Sequence, residues 1–516
     1  MSVPLESNSE LQPKSVREMS DILQLYEQAP NEATAIASVE GAVISYETLV
    51  DCAKACGDSL AGVGISSDDR VAIVMPNGPL MATTFACCAP WCGVAPLNPA
   101  YTSDEFEYYL TDLEADMLLV AADFDSPVLD VAQRLGIRTV AIDAEQSPGA
   151  FRFGTDNRIR QRRELDSIAL ILHTSGTTSR PKMVPLTQRN LLASARNIAK
   201  TLALTVEDCC LNVMPLFHIH GLMAPIMATL HAGASVVCTP GFDTLKFFAW
   251  LDETSPTWYS AVPTMHHAIL SRAKRNEDSV SRNRLRFIRS SSASLPVPVL
   301  NGLEETFGTS VVEAYAMTEA AHQMCSNPLP PRERKPGTVG PAAGPEVRIA
   351  DATELEFLGP GQEGEIVISG ENVTDGYINN PDANAKDFVD GWFRTGDLGI
   401  IDDDGYVKVT GRLKEIINRG GEKIAPLEVD DVLLDHPAIE QVCTFAIPHD
   451  KLGEEVATIL VLKEGEAVTK NEVQRFARER LASFKVPREV VFLPDIPKGP
   501  TGKVQRIGMA ERIGLV

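Results

Sequence analysis

One loop of the sequence concentrates hydroxyl side chains in front of a lysine. Residues 173–182 read His-Thr-Ser-Gly-Thr-Thr-Ser-Arg-Pro-Lys and follow an apolar run at 168–172 that predicts a buried strand. Hydroxyl and backbone N–H donors next to one cation suit the oxygens of a polyphosphate. The loop is not a Walker A motif, because no Gly-Lys-Ser/Thr follows at the required spacing. Taken alone, it fits a Ser/Thr-rich linker equally well.

A second segment, residues 314–319, brings three kinds of polar group close together. Tyr315 offers an aromatic face for a base, Thr318 a hydroxyl for phosphate, and Glu319 a carboxylate of the kind that binds Mg²⁺. Taken singly, Tyr315 is more typical of a core position. The segment becomes a nucleotide-site candidate only in combination with other segments.

Three segments nearer the C-terminus add one acid and two cations. In residues 394–397 the carboxylate of Asp397 stands beside a predicted turn and suits sugar hydroxyls, and Arg412 can add a positive charge. Residues 497–506 place Lys503 on a loop flanked by glycine. An isolated Thr-Gly-Asp is a weak signal, and a solvated basic tail is the simple alternative for Lys503.

The predicted elements that must position these residues alternate between strands and helices, as in α/β proteins. Apolar runs at 70–75 and 168–172 predict buried strands, and Thr102, Thr187 and Thr469 are placed to cap amphipathic helices. After about residue 340 the strands become shorter and are separated by Gly/Asp turns.

The predicted fold class is therefore α/β. Layered α/β subdomains and a β-rich subdomain form a large N-terminal domain, residues 1–411, and a small α+β domain follows at 412–516. The length of 516 residues supports at least two domains, because single cores stop growing at about 250–300 residues.

The composition excludes several partners. The chain has 47 Lys+Arg against 70 Asp+Glu, a net charge of −23, which argues against nucleic acid and anionic membranes. The basic stretch at 158–163 is interpreted as a solvated connector. No apolar run is long enough for a membrane span, and the polar N-terminus lacks the pattern of a signal peptide. These features predict a cytoplasmic protein; the last three residues are not the Ser-Lys-Leu peroxisomal signal, but a peroxisomal location stays open.

The ten cysteines lie in Ala/Leu-rich surroundings without paired histidines. We interpret them as small buried side chains in a reducing compartment rather than as a zinc cluster.

Together and in this order, the segments resemble the adenylate-forming superfamily of acyl-CoA synthetases, luciferases and peptide-synthetase adenylation domains, over roughly residues 20–510. The resemblance implies a mobile C-terminal domain, the substrates ATP, CoA and a small carboxylic acid, and Mg²⁺ as cofactor. It implies a catalytic lysine at Lys503, a hinge at Lys414 and a metal ligand at Glu319. The residues implied at ATP or AMP are Thr174, Ser175, Gly176, Thr177, Thr178, Lys182, Ser292, Glu313, Ala314, Tyr315, Thr318, Asp397 and Arg412. Those implied at CoA are Arg419, Gly420 and Gly421, and those at the acyl group are His218, Ser291 and His322.

The chemistry implied by the resemblance has two halves. The carboxylate attacks the ATP α-phosphate to give an acyl-adenylate and pyrophosphate, while Lys503 stabilises charge on the phosphoryl oxygens. The C-terminal domain then rotates about Lys414, and the thiol of CoA attacks the adenylate. The expected assembly is a monomer or a homodimer.

The acyl end is unusually polar for this superfamily. Ser291, His218 and His322 suit a small acid with a second polar end, because an unpaired buried hydroxyl or imidazole costs about 1–3 kcal/mol. His322 follows Glu319 by three residues, so a helix would turn both towards one site. Residues 97–102, 315–322 and 418–423 are most similar to the oxalate–CoA ligases of plants and fungi.

Oxalate is therefore the predicted substrate, and two alternatives stay open. One is a CoA ligase for a medium-chain or aryl acid, similar to 4-coumarate ligases; the other is a non-catalytic nucleotide-binding homologue. His218 with His220 as a metal pair is a weaker alternative.

Two positions depart from the superfamily's loop. Ser179 and Met183 stand where glycine is usual. If the backbone needs a positive φ there, each costs about 1–2 kcal/mol and slows closure of the loop.

Overall fold

Two compact units make up the chain in the computed structural model, which describes residues 19–143, 145, 147–153, 160–174, 181–498 and 504–516. The first unit holds the described residues up to Ile171 together with Leu186–Gly241. The second holds Leu172–Pro185 and Phe242–Val516, as far as these are described. A domain boundary between residues 411 and 412 stays a prediction.

Up to Gly241 the chain alternates helices with short strands. The helices are α1 (Ile22–Glu27), α2 (Tyr46–Gly62), α3 (Pro79–Cys88), α4 (Ser103–Leu113), α5 (Val128–Leu135), α6 (Gln188–Thr201), α7 (Ile219–Gly221) and α8 (Thr229–His231), with a π-helical segment at Leu222–Ala228. The strands are β1 (Thr34–Ser38), β2 (Val43–Ser45), β3 (Arg70–Val74), β4 (Gly93–Pro96), β5 (Met117–Ala121), β6 (Arg138–Ile142), β7 (Ile168–His173), β8 (Met183–Thr187), β9 (Cys209–Asn212) and β10 (Ser235–Cys238).

The first unit contains two groups of hydrogen-bonded strands. One is parallel, in the order β6-β5-β3-β4-β7. In the other, β9, β10 and β1 are parallel and β2 is antiparallel. The two predicted strands are confirmed as β3 and β7. The predicted caps are also confirmed, because Thr102 begins α4 and Thr187 begins α6, each in a reciprocal capping box.

All ten cysteines lie in the described part of the chain as thiols outside any disulfide, and all except Cys209 are buried. The Sγ atoms of Cys56 and Cys88 lie 3.4 Å apart. Burial raises the pKa of the Cys56 thiol, which keeps it protonated and unreactive. The nine buried cysteines therefore serve as small core side chains, as predicted.

Beyond Phe242 the chain has a sheet with helices, followed by two groups of antiparallel strands. The helices are α9 (Phe247–Thr254), α10 (Pro263–Ala273), α11 (Glu277–Arg282), α12 (Val297–Phe307), α13 (Pro381–Asp387), α14 (Pro426–Leu434), α15 (Lys470–Arg478) and α16 (Met509–Arg512), with 3-10 turns at Lys274–Asn276, Thr318–Ala320, Leu413–Glu415 and Ser483–Lys485. The strands are β11 (Trp258–Ala261), β12 (Phe287–Ser291), β13 (Ser310–Met317), β14 (His322–Ser326), β15 (Glu346–Ala350), β16 (Gly364–Ser369), β17 (Phe388–Val389), β18 (Trp392–Ile401), β19 (Val407–Arg412), β20 (Ile417–Arg419), β21 (Glu422–Ile424), β22 (Ile439–His449), β23 (Gly453–Leu462) and β24 (Glu489–Phe492).

The pairing of strands in the second unit determines which polar side chains lie close together. Strands β11, β12 and β13 are parallel, and β14 returns antiparallel to β13. Strands β15, β16, β18 and β17 form an antiparallel sheet, with β19 paired to β18. The last sheet has the order β21-β20-β23-β22, with β24 parallel to β23. The predicted α/β fold class, with its β-rich part and α+β end, is confirmed.

The last sheet has hydrophobic clusters of its own. One includes Val429 and Leu433 of α14 and Val473 of α15, packed with Val456 and Leu460 of β23. These side chains are fully buried, and burying one Val or Leu contributes about 1.5–3 kcal/mol. The capping box of Thr469 and Glu472 begins α15, as predicted.

Candidate active site

The loop rich in hydroxyl side chains, residues 173–182, is called the hydroxyl loop. Its two ends lie against each other in the second unit. The backbone N–H of Thr174 donates to the Lys182 carbonyl at 2.9 Å, and the Lys182 N–H donates to Thr174 Oγ1 at 3.2 Å. Strands β7 and β8 therefore bring both ends of the loop to one place. Four predicted phosphate-binding residues lie outside the described part of the chain: Ser175, Gly176, Thr177 and Thr178.

Among the described residues, the side chain of Lys182 contacts Asp387 and Tyr377. Its Nζ lies 2.7 Å from Asp387 Oδ2 and 4.2 Å from the centre of the Tyr377 ring. The side chains of Lys182 and Asp387 are about one-fifth exposed, which keeps water from screening the pair fully.

Met183 does not strain the loop as expected. It begins β8, forms an isolated antiparallel bridge with Ile378, and is absent from the residues of positive φ. Its side chain is 3 % exposed. The expectation of strain at Met183 was therefore wrong, because extended backbone accepts any side chain. Ser179 lies outside the described residues.

We expect Met183→Gly to weaken the fold without accelerating adenylation. Removing the buried side chain costs about 2–5 kcal/mol, and glycine within a strand costs about 0.5–1 kcal/mol more. Thermal unfolding measures the first effect and pyrophosphate release the second. Met183→Leu, which nearly conserves volume, is the control. A several-fold faster release by Met183→Gly would restore the idea that Met183 restrains the loop.

Glu319 lies in the single 3-10 turn after β13, next to Thr318. Its side chain is buried, and the Tyr377 hydroxyl donates to Oε1 at 3.0 Å. Burial raises the pKa of Glu319, while the hydrogen bond from Tyr377 and the positive charge of Lys182 oppose that rise. One buried carboxylate suits Mg²⁺, which commonly binds one or two protein carboxylates plus substrate phosphates. The donor set at Glu319 therefore fits the implied metal.

His322 does not share a helical face with Glu319, so that expectation was wrong. The 3-10 turn ends at Ala320, and Ala321 and His322 have φ values of 45° and 96°. These positive values reverse the chain into β14, where His322 pairs with Met317 of β13. His322 is fully buried.

Three predicted nucleotide residues from three strands meet at one carboxylate. Tyr315 of β13 donates its hydroxyl to Asp397 Oδ2 at 2.5 Å, and Arg412 Nε lies 2.6 Å from Asp397 Oδ1. Asp397 is 3 % exposed, whereas the Arg412 side chain is 44 % exposed. Burial and the Asp397 charge raise the pKa of the Tyr315 hydroxyl, so it stays a hydrogen-bond donor.

The prediction that Asp397 lies beside a turn was wrong. Strand β18 runs without a break through Asp397, which pairs with Arg412 of β19. Gly396 has a φ of 72°, and the register of β18 against β16 shifts at this point. This is a bulge, which bends a strand and redirects its side chains.

Ser291, two residues after Arg289, is fixed to the neighbouring strand β13. Ser291 is fully buried and donates its Oγ to the Ala314 carbonyl at 2.9 Å. Ser292 follows at a φ of 74°, half-buried. Glu313 is 3 % exposed and accepts the Leu295 N–H at 2.9 Å. Burial raises the pKa of Glu313 to about 7.

The predicted hinge and CoA residues lie on consecutive elements. Lys414 is the middle residue of the 3-10 turn between β19 and β20. Gly420 and Gly421, with φ values of 61° and 97°, form the two-residue loop of the β20–β21 hairpin. Such loops need positive φ at both positions, which explains the glycine pair. Arg419 Nε lies 2.5 Å from Glu455 Oε1.

Two predicted residues cannot be placed relative to Tyr315, Asp397 and Arg412. His218 belongs to the first unit, where it precedes α7 and its ring centre lies 4.7 Å from that of Phe217. Lys503 lies outside the described residues.

Sequence reasoning missed two side chains that contact a predicted site residue and a third that contacts the residue after the predicted hinge. Tyr377 and Asp387 contact Lys182 across gaps that no local motif reveals. Arg506 forms ion pairs with Glu415 at 3.3 Å and with Asp430 at 2.8 Å. Glu415 directly follows the predicted hinge, so Arg506 connects the end of the Lys503 segment to the hinge turn.

Comparison with known proteins covers almost the whole chain. The family described as AMP-binding enzyme matches residues 24–378, and the AMP-binding enzyme C-terminal domain matches residues 428–503. An oxalate–CoA ligase of Arabidopsis thaliana is 44% identical over 464 residues, which cover 88% of this chain and 90% of that protein. An oxalate–CoA ligase of Saccharomyces cerevisiae is 42% identical over 475 residues, or 86% of each chain.

A solved structure agrees with these matches. The crystal structure of ATP-bound MatB from Rhodopseudomonas palustris has a TM-score of 0.88 and 29% identity, covering 96% of this chain and 99% of that one. The chain belongs to the AMP-binding enzyme family. The adenylate-forming superfamily predicted from the sequence is thereby confirmed, with similarity to oxalate–CoA ligases.

Proposed function

We propose that the protein is an AMP-forming acid–thiol ligase that converts oxalate, ATP and CoA into oxalyl-CoA, AMP and pyrophosphate. Membership of the AMP-binding enzyme family and similarity to two oxalate–CoA ligases support both the reaction class and the acid. ATP and CoA are the co-substrates, and Mg²⁺ is the cofactor.

The observation that carries the choice of acid is the buried polar character of β12 and β14. Ser291 and His322 are fully buried, and so is Arg289, two residues before Ser291 on the same strand. Alternate residues of a strand point to one face, so Arg289 and Ser291 share a face. The Arg289 guanidinium contacts Ser260 Oγ and Gln323 Oε1, each at 3.3 Å. A buried cation on a strand that also carries a buried hydroxyl favours a small dianion over an alkyl or aryl chain.

We assign the nucleotide contacts from the same side chains. Lys182, Thr174 and the adjoining hydroxyl loop bind the β- and γ-phosphates, and Tyr315 stacks on the adenine. Asp397 accepts the ribose hydroxyls, with Arg412 beside it. Glu319 would hold Mg²⁺, which neutralises phosphate charge when bound. Ser292, Glu313, Ala314 and Thr318 complete the nucleotide site.

The two half-reactions use different parts of the second unit. Lys503 stabilises negative charge on the α-phosphoryl oxygens while oxalate displaces pyrophosphate. The small domain, residues 412–516, then turns about Lys414 relative to residues 1–411. Arg419, Gly420 and Gly421 admit the pantetheine arm of CoA, whose thiolate attacks the oxalyl carbon and releases AMP. Ser291 and His322 hold the acyl group in both steps.

We expect pyrophosphate release with oxalate to exceed that with hexanoate by at least about 100-fold in kcat/KM, because a site that hydrogen-bonds its substrate rejects analogues lacking those groups. The measurement compares oxalate, malonate, hexanoate and 4-coumarate with ATP, Mg²⁺ and CoA. Preference for hexanoate or 4-coumarate would replace oxalate with a medium-chain or aryl acid. No release with any acid, despite ATP binding, would favour a non-catalytic nucleotide-binding homologue.

We place the protein in the cytoplasm. The ten cysteines, which are thiols rather than disulfides in the described structure, support a reducing compartment. Among the helices that the structure describes, none has the length and apolar character needed to cross a membrane. Whether the chain works as a monomer or a homodimer is decided by its mass in solution, measured by light scattering.

A further inference from the structure

Tyr377 connects two predicted phosphate-site residues that come from distant parts of the chain. Its hydroxyl donates to Glu319 Oε1 at 3.0 Å, and its ring centre lies 4.2 Å from Lys182 Nζ. A cation over an aromatic face is attracted by the ring's negative centre. One side chain therefore fixes the distance between a carboxylate suited to Mg²⁺ and a cation suited to phosphate.

The backbone of Tyr377 is itself held on both sides. Asn384 of α13 accepts the Tyr377 N–H at 2.7 Å and donates to the Tyr377 carbonyl at 2.9 Å. The Tyr377 ring meets Phe388 edge-on, with centres 5.5 Å apart. The adjacent Ile378 donates its N–H to Met183 at 3.0 Å, beside Lys182. These contacts leave the tyrosine little freedom to move.

Asp387, the last residue of α13, completes the group. Its Oδ2 lies 2.7 Å from Lys182 Nζ, where it neutralises the ammonium. A phosphate oxygen needs the same donor hydrogens, so carboxylate and nucleotide compete for one lysine.

We propose that Tyr377 and Asp387 are positioning residues for the phosphate end of ATP. Tyr377 aligns Glu319 with Lys182, and Asp387 holds the lysine in place until the phosphates displace the carboxylate. The inference rests on the proposed function, because it takes Lys182 and Glu319 as the phosphate and metal contacts.

The Asp387 half is tested by the affinity of the full-length protein for ATP, measured by calorimetry in EDTA without any acid substrate. We expect Asp387→Asn to bind ATP about threefold to fivefold more tightly, because a partly exposed ion pair no longer competes. Asp387→Glu keeps the charge and should bind like the wild type. Asp390→Asn, an equal change of charge at an exposed position of the same segment, is the control. Unchanged or weaker binding by a folded Asp387→Asn would overturn the competition.

The Tyr377 half is tested by Tyr377→Phe, which keeps the ring over Lys182 and removes only the hydroxyl. We expect the Mg²⁺ concentration that gives half-maximal pyrophosphate release to rise about tenfold, since a hydrogen bond to a charged group is lost. Mn²⁺ binding in the presence of ATP, followed by electron paramagnetic resonance, should weaken by the same factor. Affinity for ATP in EDTA should stay within about twofold, because the ring contact with Lys182 remains.

Tyr406→Phe is a matched control for this variant. The Tyr406 ring centre lies 4.5 Å from Lys335 Nζ, and its hydroxyl donates to the Glu333 carbonyl at 2.5 Å, so the substitution removes the same group elsewhere in the second unit. Unchanged metal dependence in Tyr377→Phe would overturn the alignment role. A wild-type protein that binds no ATP would instead overturn the proposed function, and the two failures are thus distinguishable.

Discussion

We expect Lys503→Ala to lower the rate of pyrophosphate release with oxalate and ATP about 100- to 1,000-fold, the effect of removing one group that stabilises transition-state charge. Charge on the α-phosphoryl oxygens increases as oxalate attacks, and a lysine ammonium is the group proposed to meet it. Affinity for ATP should change far less, because Lys182 and the adenosine contacts remain. Single-turnover measurement of pyrophosphate separates the chemical step from product release.

The same variant should spare the second half-reaction. Supplied oxalyl-adenylate and CoA should give oxalyl-CoA at a rate close to that of the wild type, because the thiolate attack is assigned to the other domain orientation. Lys498→Ala, on the same segment, removes a surface cation paired with Asp495 at 3.0 Å and serves as the control. Equal loss of both half-reactions in Lys503→Ala would contradict the division of labour between the two orientations.

The fold could be predicted well where local patterns decide it. Thr102, Thr187 and Thr469 each begin a helix, because a hydroxyl cap and its partner three residues on lie in the sequence itself. After its first residue, Arg70, the strand at Arg70–Val74 is apolar, as strands buried on both faces are. The sequence pattern could not predict the bulge at Gly396, because the bulge arises where β18 shifts register against β16.

The sequence motifs predicted which residues belong to the candidate site better than they predicted which side chains contact one another. The motifs identified Tyr315, Asp397 and Arg412, and these meet in the second unit. They gave no sign of Tyr377, whose contacts to Glu319 and Lys182 depend on how distant segments pack. Helical spacing misplaced His322, since two positive φ values after a single turn cannot be recognised without glycine.

We expect Asp397→Asn to lower kcat/KM for ATP about 100-fold, mainly through KM. The proposed ribose contacts are hydrogen bonds to a carboxylate, each contributing about 1.5–3 kcal/mol. The amide keeps the shape of the side chain but offers one acceptor in place of two. Steady-state kinetics with varied ATP, at saturating oxalate and CoA, measures the change.

The same substitution also affects stability, and the two effects must be separated. Breaking a buried ion pair costs about 3–5 kcal/mol, but Arg412 is 44 % exposed and can turn to water, so we expect about 1–2 kcal/mol. Asp252→Asn is the matched control. That carboxylate accepts hydrogen bonds from Arg282 at 2.7 Å and Asn283 at 2.7 Å, and it has no proposed part in the reaction.

Asp252→Asn should therefore unfold at a lower temperature with KM for ATP unchanged, whereas Asp397→Asn should show both effects. The difference follows from geometry. Tyr315 and Arg412 each occupy one oxygen of Asp397, so a ribose hydroxyl must share an acceptor that already stabilises the junction of β13, β18 and β19. Stabilisation of the wild type by ATP, measured as a shift in the unfolding temperature, should be lost in Asp397→Asn and kept in Asp252→Asn. Retention of that shift by Asp397→Asn would reduce Asp397 to a purely structural residue.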